Sequence, residues 1–244
     1  MDEHSFQAQR LSFGAAADSY DQVRPSYPPE AVAWALGDTP VRVIDLGAGT
    51  GLLTQVVAGL GHEVTAVEPD PGMRARLAVR LPGATAVEGS AERIPMPDGS
   101  ADAVVAGQAY HWFDPEVAHA EIARVLRPGG VFAPVWNLRD ESVAWVARLS
   151  ELAGADRDGS AHARGLARDQ FGEAFGPAEH RDFRHGQPHT PGSLLALLKS
   201  RSYYLVAGPE LRRDIEAGVR RLTADLPDSF ELPYVTRVYR TIRR

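Results

Sequence analysis

Asp45 stands two residues ahead of three closely spaced glycines, Gly47, Gly49 and Gly51, in the stretch VIDLGAGTG (residues 43–51). Glycines at such spacing mark a turn in which the backbone approaches a ligand closely. Two ligands meet that description: the phosphates of a nucleotide and the methionine part of S-adenosylmethionine. A dinucleotide fingerprint reads G-x-G-x-x-G and uses its third glycine for close packing of helix on strand. Here that position holds Leu52. A carboxylate at position 45 repels phosphates and attracts an ammonium group, so the sign of the charge favours S-adenosylmethionine, which carries a positive amino group and a positive sulfonium. A second acid, Glu68, closes the next apolar run in VTAVEPD. It falls about 20 residues beyond the loop, where nucleoside-binding sheets hold ribose hydroxyls with an Asp or Glu.

Two further segments, VEGSAERIP (87–95) and AGQAYHWF (106–113), each end an apolar run. His111 is the residue there suited to general-base work near neutral pH. A phenol, hydroxyl or acidic carbon as acceptor would use such a base; an ionised carboxylate would need none. Aromatic faces stabilise a sulfonium by about 0.5–2 kcal/mol each, and Tyr20, Tyr27, Trp112 and Phe113 are the candidates for that wall. Arg24 is placed to hold a carboxylate of cofactor or substrate. Arg201, Tyr203 and Tyr204 of SRSYY, with Tyr234 of LPY, are candidates for an acceptor pocket, because an arginine pairs with a planar carboxylate. His119, His162, His180, His185 and His189 show no metal-ligand spacing, and no metal is expected.

These residues must be carried by regular elements. VRVIDL, HEVTAVE, ATAVEG, ADAVVAGQ and GGVFAPVW read as strands, the last following a Pro-Gly-Gly turn. LLTQVVAGL, PGMRARLAVRL and PEVAHAEIARVL read as helices between them, preceded by PEAVAWAL, in which Pro29 suits a first helical turn. Strands apolar on both faces that alternate with helices predict a parallel sheet covered on each side. Such sheets bind ligands outside the carboxyl ends of their strands, where the strand order reverses. Beyond residue 140, ESVAWVARLSELAG, SAHARGLARDQFGEAF, GSLLALLKSRSYYLVA and PELRRDIEAGVRRLTADL read as helical. HRDFRHGQPHT reads as extended, and FELPYVTRVYRTI as an alternating strand.

The 244 residues are 44% hydrophobic and 24% charged, an ordinary globular composition, and no stretch approaches the roughly 20 apolar residues of a membrane span. The acidic, polar start MDEHSFQAQR has no secretory pattern, and a cytoplasmic location is expected. No cysteine is present, so disulfides, thiolate catalysis and cysteine zinc sites are excluded. The net charge of −6 weighs against a nucleic-acid partner. Lys199 is the single lysine and Asn137 the single asparagine, a bias that matches a GC-rich bacterial genome.

The block 43–136 resembles a class I S-adenosylmethionine-dependent methyltransferase. FGAAADSYDQVRPSYP before it, GQAYHWFD within it and SRSYYL with ELPYVTRVYR after it resemble the small-acid branch typified by trans-aconitate methyltransferase. The resemblance implies an α/β, doubly wound, mostly parallel seven-stranded sheet with an antiparallel last strand and a helical C-terminal elaboration. It implies one domain over 1–244, with a lid and first helix to residue 40, a cofactor core over 41–136 and a substrate-side elaboration over 137–244. Gly47, Ala48 and Gly49 would lie against the methionine part of the cofactor, and Asp45 would steer its amino group. Glu68 would bind the ribose hydroxyls and Pro69 border the adenine. Ser90, Ala91 and Glu92 would form the adenine-edge turn, although many relatives have Asp where Ser90 stands. Gln108 and Ala109 would line the methionine channel, with Tyr20 and Arg24 closing over it. Tyr27, Trp112, Phe113, Arg201, Tyr203 and Tyr234 would meet a small-molecule acceptor. RVLRPGG (124–130) matches a structural turn. Monomer and homodimer are both compatible with this reading.

Three other readings keep some of these residues: cofactor chemistry other than methyl transfer, a binding domain that has kept the fold, and a nicotinamide oxidoreductase. Leu52 and Asp45 disfavour the last.

Overall fold

The computed structural model describes residues 24–154 and 171–244. Tyr20 and most of the helix expected over 160–175 lie outside the described residues. Proline and capping side chains start the helices where the sequence places them. α1 (Pro29–Leu36) opens on Pro29, and α3 (Pro71–Arg80) is capped by Asp70, which accepts from the Met73 amide at 2.9 Å. Between them lie β1 (Arg42–Leu46), α2 (Leu52–Gly59) and β2 (Glu63–Val67). After β3 (Thr85–Val87) and β4 (Ala101–Gly107), Asp114 caps α4 (Pro115–Val125), accepting from the Glu116 amide at 3.1 Å. β5 (Leu126–Arg139), α5 (Ala144–Ala153) and β6 (Glu179–His189) follow. α6 (Pro191–Lys199) starts on a Thr190–Ser193 capping box. The short α7 (Ser202–Leu205), α8 (Pro209–Thr223) and β7 (Phe230–Ile242) close the chain.

The strands form one seven-stranded sheet in the order β3-β2-β1-β4-β5-β7-β6. β1 to β5 pair in parallel and β7 runs antiparallel. The chain leaves β1 toward β2 on one side and returns to β4 on the other, which puts the reversal of strand order between β1 and β4. The expected doubly wound class is therefore observed.

Two local expectations are corrected. The Pro-Gly-Gly segment does not precede the fifth strand; it lies within it. β5 begins at Leu126, and its pairing jumps from Ala101↔Leu126 to Ala103↔Val131, so the extra residues bulge out around Gly129 at φ +77. A bulge absorbs residues that the partner strand cannot match while the strand continues. The third strand is also shorter than ATAVEG, spanning Thr85–Val87.

By contacts, the described residues fall into two compact units. The glycine-loop unit comprises 26–136, 171–183 and 236–244; the second comprises 24–25, 137–154 and 184–235. In the first, Tyr27 and Val32 pack with Leu53 and Val57 of α2 over Val43, Val105 and Val135 of the sheet. On Tyr110 converge the rings of Phe113, Phe132, Trp136 and Phe171, with centroids 5.7–6.0 Å away. The second unit packs Val146 and Leu149, Leu194 and Leu197, and Ile215 and Val219 against Leu232 and Tyr234. Among the described residues no helix is long and apolar enough to cross a membrane.

Candidate active site

Gly47, Gly49 and Gly51 have φ of +70°, +57° and +87°, the left-handed region that side chains disfavour. At Gly47 space is also forbidden, because a Cβ there would lie 2.7 Å from the Ala109 Cβ and 3.7 Å from Phe113. At Gly49 a Cβ would meet nothing within 4 Å, so this residue borders open space. Four of the loop amides are already engaged. Those of Gly47 and Ala48 donate to the Val67 carbonyl at 2.9 and 3.2 Å, and that of Gly51 to Ala48 at 2.9 Å. The Gly49 amide donates to the Glu68 carboxylate at 2.8 Å. A phosphate cradle presents its amides to the ligand. This loop turns them inward and sets a carboxylate where a phosphate would lie.

Asp45 sits on β1 between Ala66 and Val105, fully buried. Its Oδ2 accepts from the Thr54 hydroxyl at 2.6 Å, while its buried Oδ1 has no hydrogen-bond partner among the described residues. Burial raises its carboxyl from 3.8 to about 7; the Glu68 charge adds to this and the Thr54 hydrogen bonds oppose it. An orphaned carboxylate oxygen in such a place is matched by a cation or another donor. Glu68, 7% exposed, also accepts from the Asp70 amide at 2.9 Å through its other oxygen. It thus ties the glycine loop to the start of α3, and carboxylate oxygens retain further accepting capacity. Arg74 holds the carbonyls of Glu68 and Pro69 at 2.8 and 3.0 Å.

The other expected cofactor residues collect at the same strand ends. Ser90 and Arg93 exchange backbone hydrogen bonds at 3.3 and 3.2 Å, closing a tight turn around buried Ala91 and half-buried Glu92. Glu92 Oε1 accepts from the Asp114 amide at 3.1 Å. Below the turn, Arg124 donates to the carbonyls of Ile94 and Met96, so RVLRPGG latches the segment that follows. Gln108, after β4, has φ +54, alone among the described non-glycine residues in that region. Such strain costs on the order of 1–3 kcal/mol and gathers at functional sites. Tyr27 covers this strand end: a Cβ on Gly107 would lie 2.6 Å from its hydroxyl. Phe113 packs over Gly47 from beyond Ala109, and Trp112 is half-buried. His111 lies in a 3₁₀ turn over Tyr110–Trp112, where its Nδ1 accepts from the Trp136 indole at 3.4 Å.

The second unit gathers Arg24, Arg201, Tyr203 and Tyr234, so Arg24 stands with the acceptor candidates. Its Nη2 and Nε donate to the Ser200 carbonyl at 2.8 Å and hydroxyl at 3.2 Å. Arg201, Tyr203 and Tyr234 are buried, and Tyr234 stacks on His185 with centroids 5.5 Å apart. Burial raises the Tyr234 hydroxyl, against the lowering influence of Arg201, Arg139 and Arg24. Tyr204 points elsewhere, donating to Glu216 at 2.6 Å.

The sequence reading missed Thr54, Arg74, Trp136 and Arg139. Thr54 and Arg74 lie in the first turns of α2 and α3, the helices that follow their partners at the strand ends, but belong to no motif. Trp136 and Arg139 lie within an apolar strand that reads as core.

A parallel sheet with a glycine loop after β1 and acids at the ends of β1 and β2 defines a class I methyltransferase fold. Residues 44–133 match the methyltransferase domain family. Over 233 residues, 93% of either chain, the sequence is 43% identical to an uncharacterized methyltransferase of Mycobacterium tuberculosis. It is 34% identical over 210 residues to the malonyl-[acyl-carrier protein] O-methyltransferase of Methylococcus capsulatus, covering 78% of this chain and 72% of that one. A methyltransferase structure from Anaeromyxobacter dehalogenans superposes with a TM-score of 0.63 at 25% identity, over 90% of this chain and 97% of that one. The chain belongs to the family of S-adenosylmethionine-dependent methyltransferases.

Proposed function

We propose that the protein moves the methyl group of S-adenosylmethionine to an oxygen of a small molecule, a carboxylate or a natural-product hydroxyl, by in-line displacement. The observation that carries this reading is the buried, half-satisfied carboxylate of Asp45 beside a glycine loop in which the amides of Gly47, Ala48, Gly49 and Gly51 are bonded within the protein. Asp45 receives the cofactor's amino group, and Gly47, Ala48 and Gly49 lie along its methionine part. Glu68 accepts the ribose hydroxyls with the lone pairs its two amide bonds leave. Pro69, Ser90 and Ala91 border the adenine, with Ala91 offering backbone, because Glu92 is held by the Asp114 amide. Gln108 and Ala109 complete the methionine channel. Bound there, the cofactor supplies an electrophilic methyl on a sulfonium with a neutral thioether as leaving group.

The chain's own contribution is positioning and exclusion of water, worth roughly 7–11 kcal/mol where the geometry is good. Tyr27, Trp112 and Phe113 supply aromatic faces for the sulfonium. His111 is assigned a donor role. An indole N–H only donates, so the Trp136 contact engages the Nδ1 lone pair and puts the neutral ring's proton on Nε2. A ring so held offers a hydrogen bond rather than a base, which suits an acceptor that is already ionised. The similarity to an O-methyltransferase acting on a malonyl group supports an oxygen acceptor.

The test is calorimetry followed by mass spectrometry. S-adenosylhomocysteine should bind and NAD should not. With S-adenosylmethionine, one member of a panel of small acids, phenols and amines should gain one methyl group. NAD binding would overturn the cofactor reading, and a product other than a methylated acceptor would overturn the reaction.

A further inference from the structure

His119 belongs to no motif, yet it is buried on α4 at 8% exposure. Its Nε2 lies 2.7 Å from the hydroxyl of Tyr110, itself 3% exposed. Burial holds the phenol above its ordinary pKa and the imidazole below its own, so both are neutral near neutral pH. The phenol is the stronger donor of two such neutral groups. Its O–H therefore donates to the Nε2 lone pair, and the ring proton sits on Nδ1.

Tyr110 opens the 3₁₀ turn whose neighbours face the site described above. Ala109 and Phe113 close on Gly47, and His111 Nδ1 accepts from the Trp136 indole at 3.4 Å. Gln108, at φ +54, leads into the turn, and Asp114, the cap of α4, leads out of it. The Tyr110 ring enters the core among Phe113, Phe132, Trp136 and Phe171. Contacts between rings tolerate a range of offsets and tilts, so they fill space without fixing how deep the side chain sits. A short hydrogen bond to a helix side chain does fix it, because its distance and angle are narrow.

The energetics agree with a directional role. A phenylalanine would supply the same ring contacts with no hydroxyl to desolvate. Replacing both partners of a buried hydrogen bond by apolar groups of similar shape is nearly neutral for stability, whereas removing one strands the other. The pair thus contributes little net stability and much direction, as satisfied buried polar groups do when they specify one arrangement of a core.

We propose that the Tyr110–His119 hydrogen bond holds the 109–113 turn in register with the glycine loop, and that His119 is a positioning residue for the methyl-transfer site. It acts through Tyr110 and not on the reacting atoms. What the turn presents rests on the function proposed above; the coupling of the pair to the turn does not.

The experiment is a double-variant cycle on the full chain: Tyr110→Phe, His119→Leu and the two together. Three readouts follow each protein: Tm, calorimetric affinity for S-adenosylhomocysteine well below Tm, and the indole N–H resonance of Trp136, one of four tryptophans. Each single variant should lose stability, because one buried polar group is stranded, and the double variant should recover most of it. Affinity should fall about tenfold in Tyr110→Phe, as expected for coupled neighbours, and should stay low in the double variant. The indole resonance should move in both, since His111 shifts with the turn. Recovery of affinity and resonance along with Tm in the double variant overturns positioning and leaves packing alone. Unchanged affinity or an unmoved resonance in Tyr110→Phe overturns it as well. Should the double variant not fold, Tyr110→Phe, which removes a single oxygen, carries the test by itself. Failure of the wild type to bind S-adenosylhomocysteine counts against the cofactor reading instead, and the indole resonance then decides the coupling.

Discussion

Replacing Asp45 by asparagine separates what this carboxylate does for the fold from what it does for the ligand. In the ligand-free protein, burial raises the carboxyl from 3.8 to about 7. A carboxyl raised on folding stabilises the native state below its unfolded value, and that stabilisation is lost as pH rises through about 7. The full difference corresponds to roughly 4 kcal/mol. At pH 8 the wild-type fold therefore holds an ionised carboxylate out of water. Asparagine has the same shape, carries no charge and still accepts from the Thr54 hydroxyl. At 2–4 °C per kcal/mol for a chain of this size, the ligand-free Asp45→Asn protein should melt at least about 5 °C above wild type at pH 8. The gap should shrink as pH falls below 7. Ligand binding should move the other way. Removing one partner of a buried charge pair costs about 2–5 kcal/mol, so S-adenosylhomocysteine should bind at least about thirty-fold more weakly at pH 8. In wild type the affinity should drop roughly tenfold at pH 6, where a group titrating near 7 is about nine-tenths protonated. Scanning fluorimetry and calorimetry across pH read both effects. Unchanged affinity in the variant would refute the ammonium contact, and an unchanged melting temperature would refute the buried charge.

The glycine loop offers a contrast between two small substitutions. Gly47→Ala drives a Cβ into Ala109 and should cost about 1–3 kcal/mol of stability, a fall of several degrees in Tm. Gly49→Ala points into open space, so its affinity for S-adenosylhomocysteine should fall by more than its stability does. Glu68→Gln should weaken that affinity at least tenfold, because one amide-accepting oxygen is replaced by a donor beside Gly49; an unchanged titration would count against the loop tie. His111→Gln should keep most of its activity on a carboxylate acceptor with an unaltered pH–rate profile. A collapse of kcat with binding intact would restore the histidine as a base.

Much of the cofactor half was legible before any coordinates. Strand and helix periods alternate strictly from residue 41, and that alternation specifies a parallel sheet with its ligand site at the carboxyl ends. The glycine spacing and the two acids sit at those ends, so Asp45, Gly47, Gly49 and Glu68 could be placed there as candidates from position alone. The bulge in β5 could not be read, since Pro-Gly-Gly signals a turn whether it ends a strand or interrupts one. Thr54 and Trp136 carry no motif either, and only packing shows which polar atom each one meets.

Local chemistry and periodicity thus determined the fold class, the family resemblance and the sign of charge the glycine loop prefers. Those properties depend on neighbours within a few residues along the chain. The tertiary structure alone decided that the amides of Gly47, Ala48, Gly49 and Gly51 are spent on Val67, Glu68 and Ala48, and that Trp136 engages His111. Apart from the Ala48–Gly51 turn, each of those depends on groups distant in sequence that meet in a water-poor space, where an unmatched donor or acceptor is costly.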